Sequence, residues 1–413
     1  MILIYRLLIN FILIFSPIII FVRLIYKKED SKRFLEKFTI FSQKRKKGTL
    51  IWFHAVSVGE LISIIPIVKK LEKNKKISQI LITTTTLTSS TLFTNFKFKK
   101  TIHQYFPIDN NYFTKRFISY WNPKLAIFVD SEIWPNMLHN LKQKSVLRIL
   151  LNARINKKSY KKWKKLGRFS ESLFQSFSKT YPQNKESQKY LKKLKVKNIH
   201  NLGNLKFSQS VEEMKKIPKN LNNLIINKKI WCASSTHQGE EEICLRIHQK
   251  LIKKFKDLIL IIIPRHTYRI NDITKDLLKY NMKFHLHSNK GPIQKNINIY
   301  LVDTYGETNL FFSICKNIFL GKSITADGGQ NPLEPARHNC TIIHGPNVLN
   351  FTKIDTYLHK HKISFKVNNE IQLTNKLYTL IKKGKKTITI SSKINKIGDK
   401  VLKKNLNEIE SFL

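Results

Sequence analysis

Ile51-Trp-Phe-His-Ala-Val-Ser-Val-Gly-Glu60 reads as a buried strand running into a tight glycine turn, with a helix over Leu61–Leu71 behind it. Glu60 then falls in a first helical turn, where the dipole favours its carboxylate. Such an acid either serves the helix end or acts as a general base, if an acceptor hydroxyl comes within hydrogen-bond reach. The same design recurs further along. Val129-Asp-Ser-Glu-Ile-Trp-Pro-Asn136 follows another apolar run, Asn152-Ala-Arg154 closes the next, and Gly203-Asn-Leu-Lys-Phe207 the last of the first half. Asp130-x-Glu132 superficially matches an acidic pair that holds a divalent cation, but two carboxylates alone do not define Mg²⁺ geometry, and capping of the next helix is the competing reading.

Outward from these stretches, short β-rich runs alternate with helix-length segments. Strands are expected at Leu50–His54, Ile80–Thr84, Leu125–Val129, Val146–Leu151 and around Ile199–Leu202, then at Ile230–Ala233, Leu258–Ile263, Ile297–Val302, Asn317–Leu320 and Thr341–His344. That alternation implies βαβ units and parallel sheets, hence an α/β fold. The Lys/Asn-rich segment Met214–Lys229, with Pro218, reads as a linker between two doubly wound domains, residues 27–210 and 211–413. Ligands of such folds sit at the carboxyl ends of strands, which is where the polar motifs lie, and a two-domain layout predicts a cleft between the domains.

The second half carries its own strand-end motifs. In Ala233-Ser-Ser-Thr-His-Gln-Gly-Glu-Glu-Glu242 a hydroxyl-rich loop opens an acidic helix, an anion cradle suited to phosphate. His237 and Glu241 have i,i+4 spacing, but no third ligand follows at zinc spacing. Pro264-Arg265-His266 places a guanidinium after the most apolar strand, and Asp303-Thr-Tyr-Gly-Glu307 ends the next. The most specific segment is Gly321-Lys-Ser-Ile-Thr-Ala-Asp-Gly-Gly-Gln-Asn-Pro-Leu-Glu-Pro-Ala336. Its Gly328-Gly329 turn permits close backbone approach, and Asn331, Pro332 and Glu334 open a helix. A carboxylate there can accept both ribose hydroxyls, which points to a nucleotide-sugar site.

Composition bounds the rest. The 413 residues carry a formal charge of +48, yet the cations are 63 Lys against 12 Arg and are spread along the chain. Base-reading surfaces favour the Arg fork, so nucleic acid is not the expected partner, whereas an anionic membrane surface is. Four cysteines without a CxxC pair support neither a disulfide framework nor a zinc ribbon. Residues 1–26 form an apolar block with an uncharged core, Leu7–Val22, of 16 residues. As one helix that core measures ~24 Å against a hydrocarbon layer of ~30 Å, and the flanking Arg6 and Arg23 can snorkel outward. No small-residue cleavage site follows, and the basic stretch from Lys27 to Lys47 does, so we expect a membrane-anchor helix at the inner (cytoplasmic) membrane with the remainder on the cytoplasmic face.

Taken in order, these motifs resemble those of the 3-deoxy-D-manno-octulosonic acid (Kdo) transferases, over essentially the whole chain. The matching stretches are Trp52–Glu60, Thr83–Thr88, Ser131–Asn136, Asn152–Arg154, Gly203–Phe207, Ser235–Glu242, Pro264–His266, Asp303–Glu307, Gly328–Ala336 and Gly345–Phe351. The resemblance implies a GT-B type glycosyltransferase of two Rossmann-like domains, acceptor-binding then donor-binding, behind an N-terminal membrane anchor. It implies CMP-Kdo as donor, a lipid A precursor (lipid IVA) as acceptor, inversion at the anomeric carbon, and neither metal nor cofactor. It implies Glu60 as proton acceptor, Asp130 and Lys206 as transition-state stabilisers, and CMP against Pro264, Arg265, Tyr305, Gly306, Glu307, Asn331, Pro332, Leu333 and Glu334. Three positions depart from the family pattern: Asp130 stands where Glu is usual, Gln238 for Glu, and Lys322 for Gly. A nucleotide-sugar epimerase would share the donor half but needs no lipid anchor. A basic membrane-associated binding protein would leave the strand-end motifs without a purpose.

Overall fold

The computed structural model describes residues 1–209, 216–226, 228–349, 351–384 and 389–413. It divides into two units, Met1–Gln209 with Ile397–Leu413, and Ser210–Lys396. The first boundary falls beside the expected one. The C-terminal end does not: Ile397–Leu413 belongs with the first unit, because Val401 and Ile409 of the final helix, Ser391–Glu410, are buried in that unit's core.

Unit 1 is built on a six-stranded parallel sheet of β1 (Leu50–His54), β2 (Gln79–Thr84), β3 (Thr101–Tyr105), β4 (Leu125–Val129), β5 (Leu147–Ala153) and β6 (Lys179–Pro182), in the order β3-β2-β1-β4-β5-β6. Strand residues alternate between faces. Leu50 and Trp52 pack with Phe117, Met137 and Phe174 on one side, while Ile51 and Phe53 pack with Leu61, Ile64 and Val68 on the other. Both faces are therefore apolar and helix-covered, as a parallel sheet requires. The order reverses between β1 and β4, which is the switch point of this topology.

Unit 2 carries a seven-stranded parallel sheet: β7 (Lys229–Thr236), β8 (Leu258–Pro264), β9 (Phe284–Leu286), β10 (Ile299–Leu301), β11 (Asn317–Leu320), β12 (Thr341–His344) and β13 (Ser364–Lys366), ordered β13-β12-β11-β7-β8-β10-β9. Its switch point lies between β7 and β11. All four cysteines are buried and free.

Four local expectations are corrected. The helix after β1 starts at Val58 with Ser57 as its N-cap, so Gly59 lies inside the first turn instead of making a tight turn ahead of it. Ile199–Leu202 forms no strand; Ile199 makes a single bridge to Thr180, and the following segment folds as the tight helical turn Leu205–Ser208. Of the presumed linker, Met214, Lys215 and Asn227 lie outside the described residues, but Lys219–Ile225 is a helix whose Leu221 and Leu224 enter the unit 2 core.

The fourth correction concerns the N-terminus. Instead of one anchor helix there are two, Ile2–Ile14 and Ser16–Ile25, bent by 52° at the break. Pro17, in the first turn of the second helix, cannot supply an N–H to continue the first. Among the described residues no single helix is long and apolar enough to cross a membrane, although this bent pair meets the length and composition requirement together. Three polar bonds tie the first helix to the body of unit 1: Tyr5 Oη to Asp109 (2.8 Å), Arg6 Nε to Asn136 (3.0 Å) and Asn110 Nδ2 to Asn10 (2.7 Å). Leu3, Leu7, Leu8, Phe11, Ile14 and Ile18 point to solvent.

Candidate active site

Glu60, Asp130 and Lys206 converge at the unit 1 switch point. Glu60 stands in the first turn of the helix Val58–Leu71 that follows β1, and Ser57 fixes that turn: its side chain caps the amide of Glu60 (3.4 Å). The Glu60 carboxylate accepts in return from Val56 N (2.7 Å) and Ser57 Oγ (3.0 Å). These bonds hold it at the mouth of β1. Burial pushes its pKa up to about 8, with the negative charges of Asp130 and Glu132 adding to the shift. A carboxyl so placed keeps its proton near neutrality and becomes a strong base once it loses it.

Asp130 follows β4 directly and is buried with φ +60°. The left-handed region is tolerated by Asp because its short side chain bonds locally. Here the bond comes from Asn152 Nδ2 at 2.5 Å, while Arg154 N donates to the Asp130 carbonyl at 3.0 Å. Burial raises the Asp130 pKa, opposed by Lys206, Asn152 and Arg154. Lys206 shows the converse: burial lowers its pKa and Asp130 opposes that shift. Two carboxylates and an ammonium thus share one partly dehydrated site, where their mutual fields are strong.

A residue that the sequence marks only as closing a strand joins these parts. Asn152, at the end of β5 and also at positive φ, donates to Asp130 and accepts from Leu205 N (3.1 Å). It thereby fixes the Lys206 turn to the end of β4. Behind that turn the final helix approaches closely, since a Cβ at Gly398 would lie 2.2 Å from the Phe207 carbonyl oxygen. The strand-end position of Asn152 was visible; its bridging role depends on a contact 53 residues away. Glu132 lies in the same loop and accepts from Trp134 Nε1 (2.9 Å). Its partner differs from that of Asp130, and among the described residues no group of three or more His, Cys, Asp or Glu could hold a metal ion.

In unit 2 the strand-end motifs lie at the carboxyl ends of adjacent strands β11, β7, β8 and β10, with Thr236 level with Pro264. Pro264 is buried and Arg265 exposed, its amide bound to the Thr236 carbonyl (3.0 Å). Tyr305 is 64% exposed, Gly306 turns at φ +84°, and Glu307 stands at the N-cap position of the helix Thr308–Ile314. Asn331 accepts from Leu333 N (3.2 Å) and donates to Glu334 (3.3 Å), while Pro332 leads into the short helix Leu333–Arg337. Beneath it burial pushes Arg337 down to about 10, with the Glu334 charge opposing that shift.

In the second unit the buried Glu240 carboxylate accepts from one amide of the Ser235–Glu242 stretch, His237 N (2.9 Å), and from three of the loop after β11, Lys322 N (2.7 Å), Ser323 N (2.9 Å) and Ile324 N (3.0 Å). Glu240 thereby clamps the loop after β11 onto β7, and Gly321 is required there, since a Cβ would meet the Ser235 oxygen at 2.5 Å. Glu241 is likewise engaged, forked by Arg269 at 2.8 and 3.0 Å, which removes it as a zinc ligand beside His237.

Two doubly wound parallel units, one with an acid–base cluster and one with Gly-turned loops at its switch point, define an enzyme of the two-Rossmann, GT-B type. Solved structures agree on the fold: a UDP-N-acetylglucosamine 2-epimerase from Listeria monocytogenes superposes with TM-score 0.63 at 13% identity, covering 88% of this chain and 96% of that one. The family model for 3-deoxy-D-manno-octulosonic-acid transferase (kdotransferase) matches residues 32–209. The transferase of that name from Rickettsia bellii is 34% identical over 88% of this chain and 87% of its own, and that of Haemophilus influenzae 29% identical over 88% and 85%. The chain belongs to the Kdo transferase family of glycosyltransferases.

Proposed function

We propose that this protein transfers Kdo from CMP-Kdo to a lipid A precursor, lipid IVA, with inversion and without a metal, in lipopolysaccharide synthesis. The observation that carries the reading is the convergence of Glu60, Asp130 and Lys206 at one switch point in a member of this family. Glu60 takes the proton of a 6′-hydroxyl of the glucosamine disaccharide. The hydroxyl oxygen forms a bond to the anomeric carbon as the bond to the CMP phosphate oxygen breaks, and CMP leaves with that electron pair. Asp130 and Lys206 meet the charge that develops, and Arg265 faces the departing phosphate. Pro264, Tyr305, Gly306, Glu307, Asn331, Pro332, Leu333 and Glu334 bind the nucleotide, with Glu334 on the ribose. Asp130 is one methylene shorter than the usual Glu, and its bond to Asn152 holds that shorter reach in place.

The exposed apolar side chains of the two N-terminal helices support attachment to the inner membrane, with the basic residues that follow facing anionic lipid on the cytoplasmic side. Incubating the full-length protein with CMP-Kdo and lipid IVA in mixed micelles tests the proposal. Product mass should rise by whole Kdo units; release of free sugar or isomerised donor, with lipid unchanged, would favour an epimerase-like chemistry.

A further inference from the structure

His54 ends β1 inside the unit 1 core, completely buried, and its Nε2 has no hydrogen-bond partner. A buried ring nitrogen is normally satisfied, so its direction is informative. Phe106 stacks on the ring at 3.9 Å, with Phe128 and Trp134 at its edges, so the imidazole cannot turn freely. The hydrogen-bond distances favour one tautomer. Trp52 Nε1 donates to Thr83 Oγ1 (2.9 Å), which leaves the threonine hydroxyl to donate onward. Its nearer acceptor is His54 Nδ1 at 3.0 Å, against 3.4 Å for the Phe53 carbonyl. With Nδ1 accepting, a neutral ring carries its proton on Nε2. That N–H faces Glu132 Oε2 at 3.6 Å.

From this relay, Trp52 to Thr83 to His54 to Glu132, we infer that His54 is a positioning residue for Kdo transfer, its Nε2–H drawing the Glu132 carboxylate into place beside Glu60. The inference rests on the reading of Glu60 as the base. Trp134 Nε1 donates to the same carboxylate oxygen at 2.9 Å, so Glu132 is held by one hydrogen bond and lies 3.6 Å from His54 Nε2, within reach of its electrostatic pull. The groups facing Glu60 are Asp130 and Glu132 from the loop after β4, Lys206 from the turn Leu205–Ser208, and Val56 N and Ser57 from its own segment. Glu132 is one of the charges that keep the Glu60 carboxyl protonated near neutrality. Losing the His54 donor lets Glu132 swing off, which removes negative charge from beside Glu60.

The test compares H54L, H54Q, E132Q and E60Q in full-length protein by kcat, KM for CMP-Kdo, and the pH profile of kcat. We expect H54L to lose about tenfold or more in kcat, as a displaced catalytic constellation does, with KM nearly unchanged. Its pH midpoint should move below that of the wild type, as should that of E132Q. Glutamine can accept from Thr83 and donate to Glu132, so H54Q should recover much of the kcat and the midpoint. Equal losses in H54L and H54Q with a wild-type midpoint would overturn the inference and leave His54 a packing residue. Should H54L fail to fold, H54Q and E132Q decide: a H54Q midpoint shifted as far as that of E132Q would overturn it. A fully active E60Q would instead overturn the reading of the base, whatever His54 does.

Discussion

Replacing Asn152 by Ala removes a side chain that joins Asp130 to the Lys206 turn. Two buried hydrogen bonds disappear, one to a carboxylate at 2.5 Å and one from Leu205 N at 3.1 Å. Leaving a buried partner unsatisfied costs about 1–3 kcal/mol in each case, more where the partner is charged. Alanine at φ +55° adds roughly 1 kcal/mol of backbone strain, which Asn tolerates better. The sum is about 3–7 kcal/mol, and a domain of this size loses roughly 2–4 °C of Tm per kcal/mol, so a fall of the order of 10 °C or more is expected. N152G should regain a few degrees over N152A, because only the backbone strain is relieved. Thermal unfolding followed by circular dichroism reads this directly, and transfer assayed well below both midpoints should still be impaired because the Lys206 turn is no longer fixed. An N152A protein melting within about 2 °C of wild type would refute the reasoning, since neither bond could then carry the weight assigned to it.

Activity should survive thorough EDTA treatment; loss that Mg²⁺ restores would reinstate Asp130-x-Glu132 as a cation site. Removal of residues 1–26 breaks the three ties from Tyr5, Arg6 and Asn10 but leaves Asp109 its amide partners Asn136 N and Met137 N (3.0 and 2.8 Å). The truncated protein should therefore stay folded and bind CMP, act poorly on acceptor in vesicles and better on detergent-dispersed acceptor. Aggregation with loss of CMP binding would show that the helix pair is core structure.

What could be read from the sequence divides along the sheet. The interior strands β1, β2, β4, β5, β7, β8, β10, β11 and β12 are all legible as apolar runs, because a parallel strand flanked on both sides is buried on both faces. The four missed strands, β3, β6, β9 and β13, are the four sheet edges. Thr-Ile-His-Gln-Tyr, Lys-Thr-Tyr-Pro, Phe-His-Leu and Ser-Phe-Lys are short or polar, as edges that must resist further pairing tend to be. The block at residues 2–25 misled for another reason: hydropathy summed over Leu7–Val22 does not register that Pro17 divides it.

The site was legible wherever a residue sits at a strand's end within a recognisable motif, as Glu60, Asp130 and Arg265 do. Lys206, one lysine among 63, was singled out only by resemblance, and its burial beside Asp130 is what gives it chemistry. His54, Asn152 and Glu240 lie in stretches the sequence brings out, but their roles were not legible because their partners come from other strands and loops. Glu240 in particular looks like one of three helix-starting acids until the amides of Lys322, Ser323 and Ile324 are seen to close on it.

The central claim, that Glu60 is the base for Kdo transfer, is tested most directly by the pH dependence of kcat in wild type and E60Q with CMP-Kdo and lipid IVA. Because burial and the neighbouring carboxylates raise the Glu60 pKa to about 8, its active, ionised form grows as pH rises. Wild-type kcat should climb nearly tenfold per pH unit below that value and level off above it. E60Q should bind CMP normally, fall about 10²–10⁴-fold in kcat, and lose that limb. An E60Q enzyme that keeps more than about a tenth of wild-type kcat, or that retains the same rise with pH, would contradict the claim and place the base elsewhere.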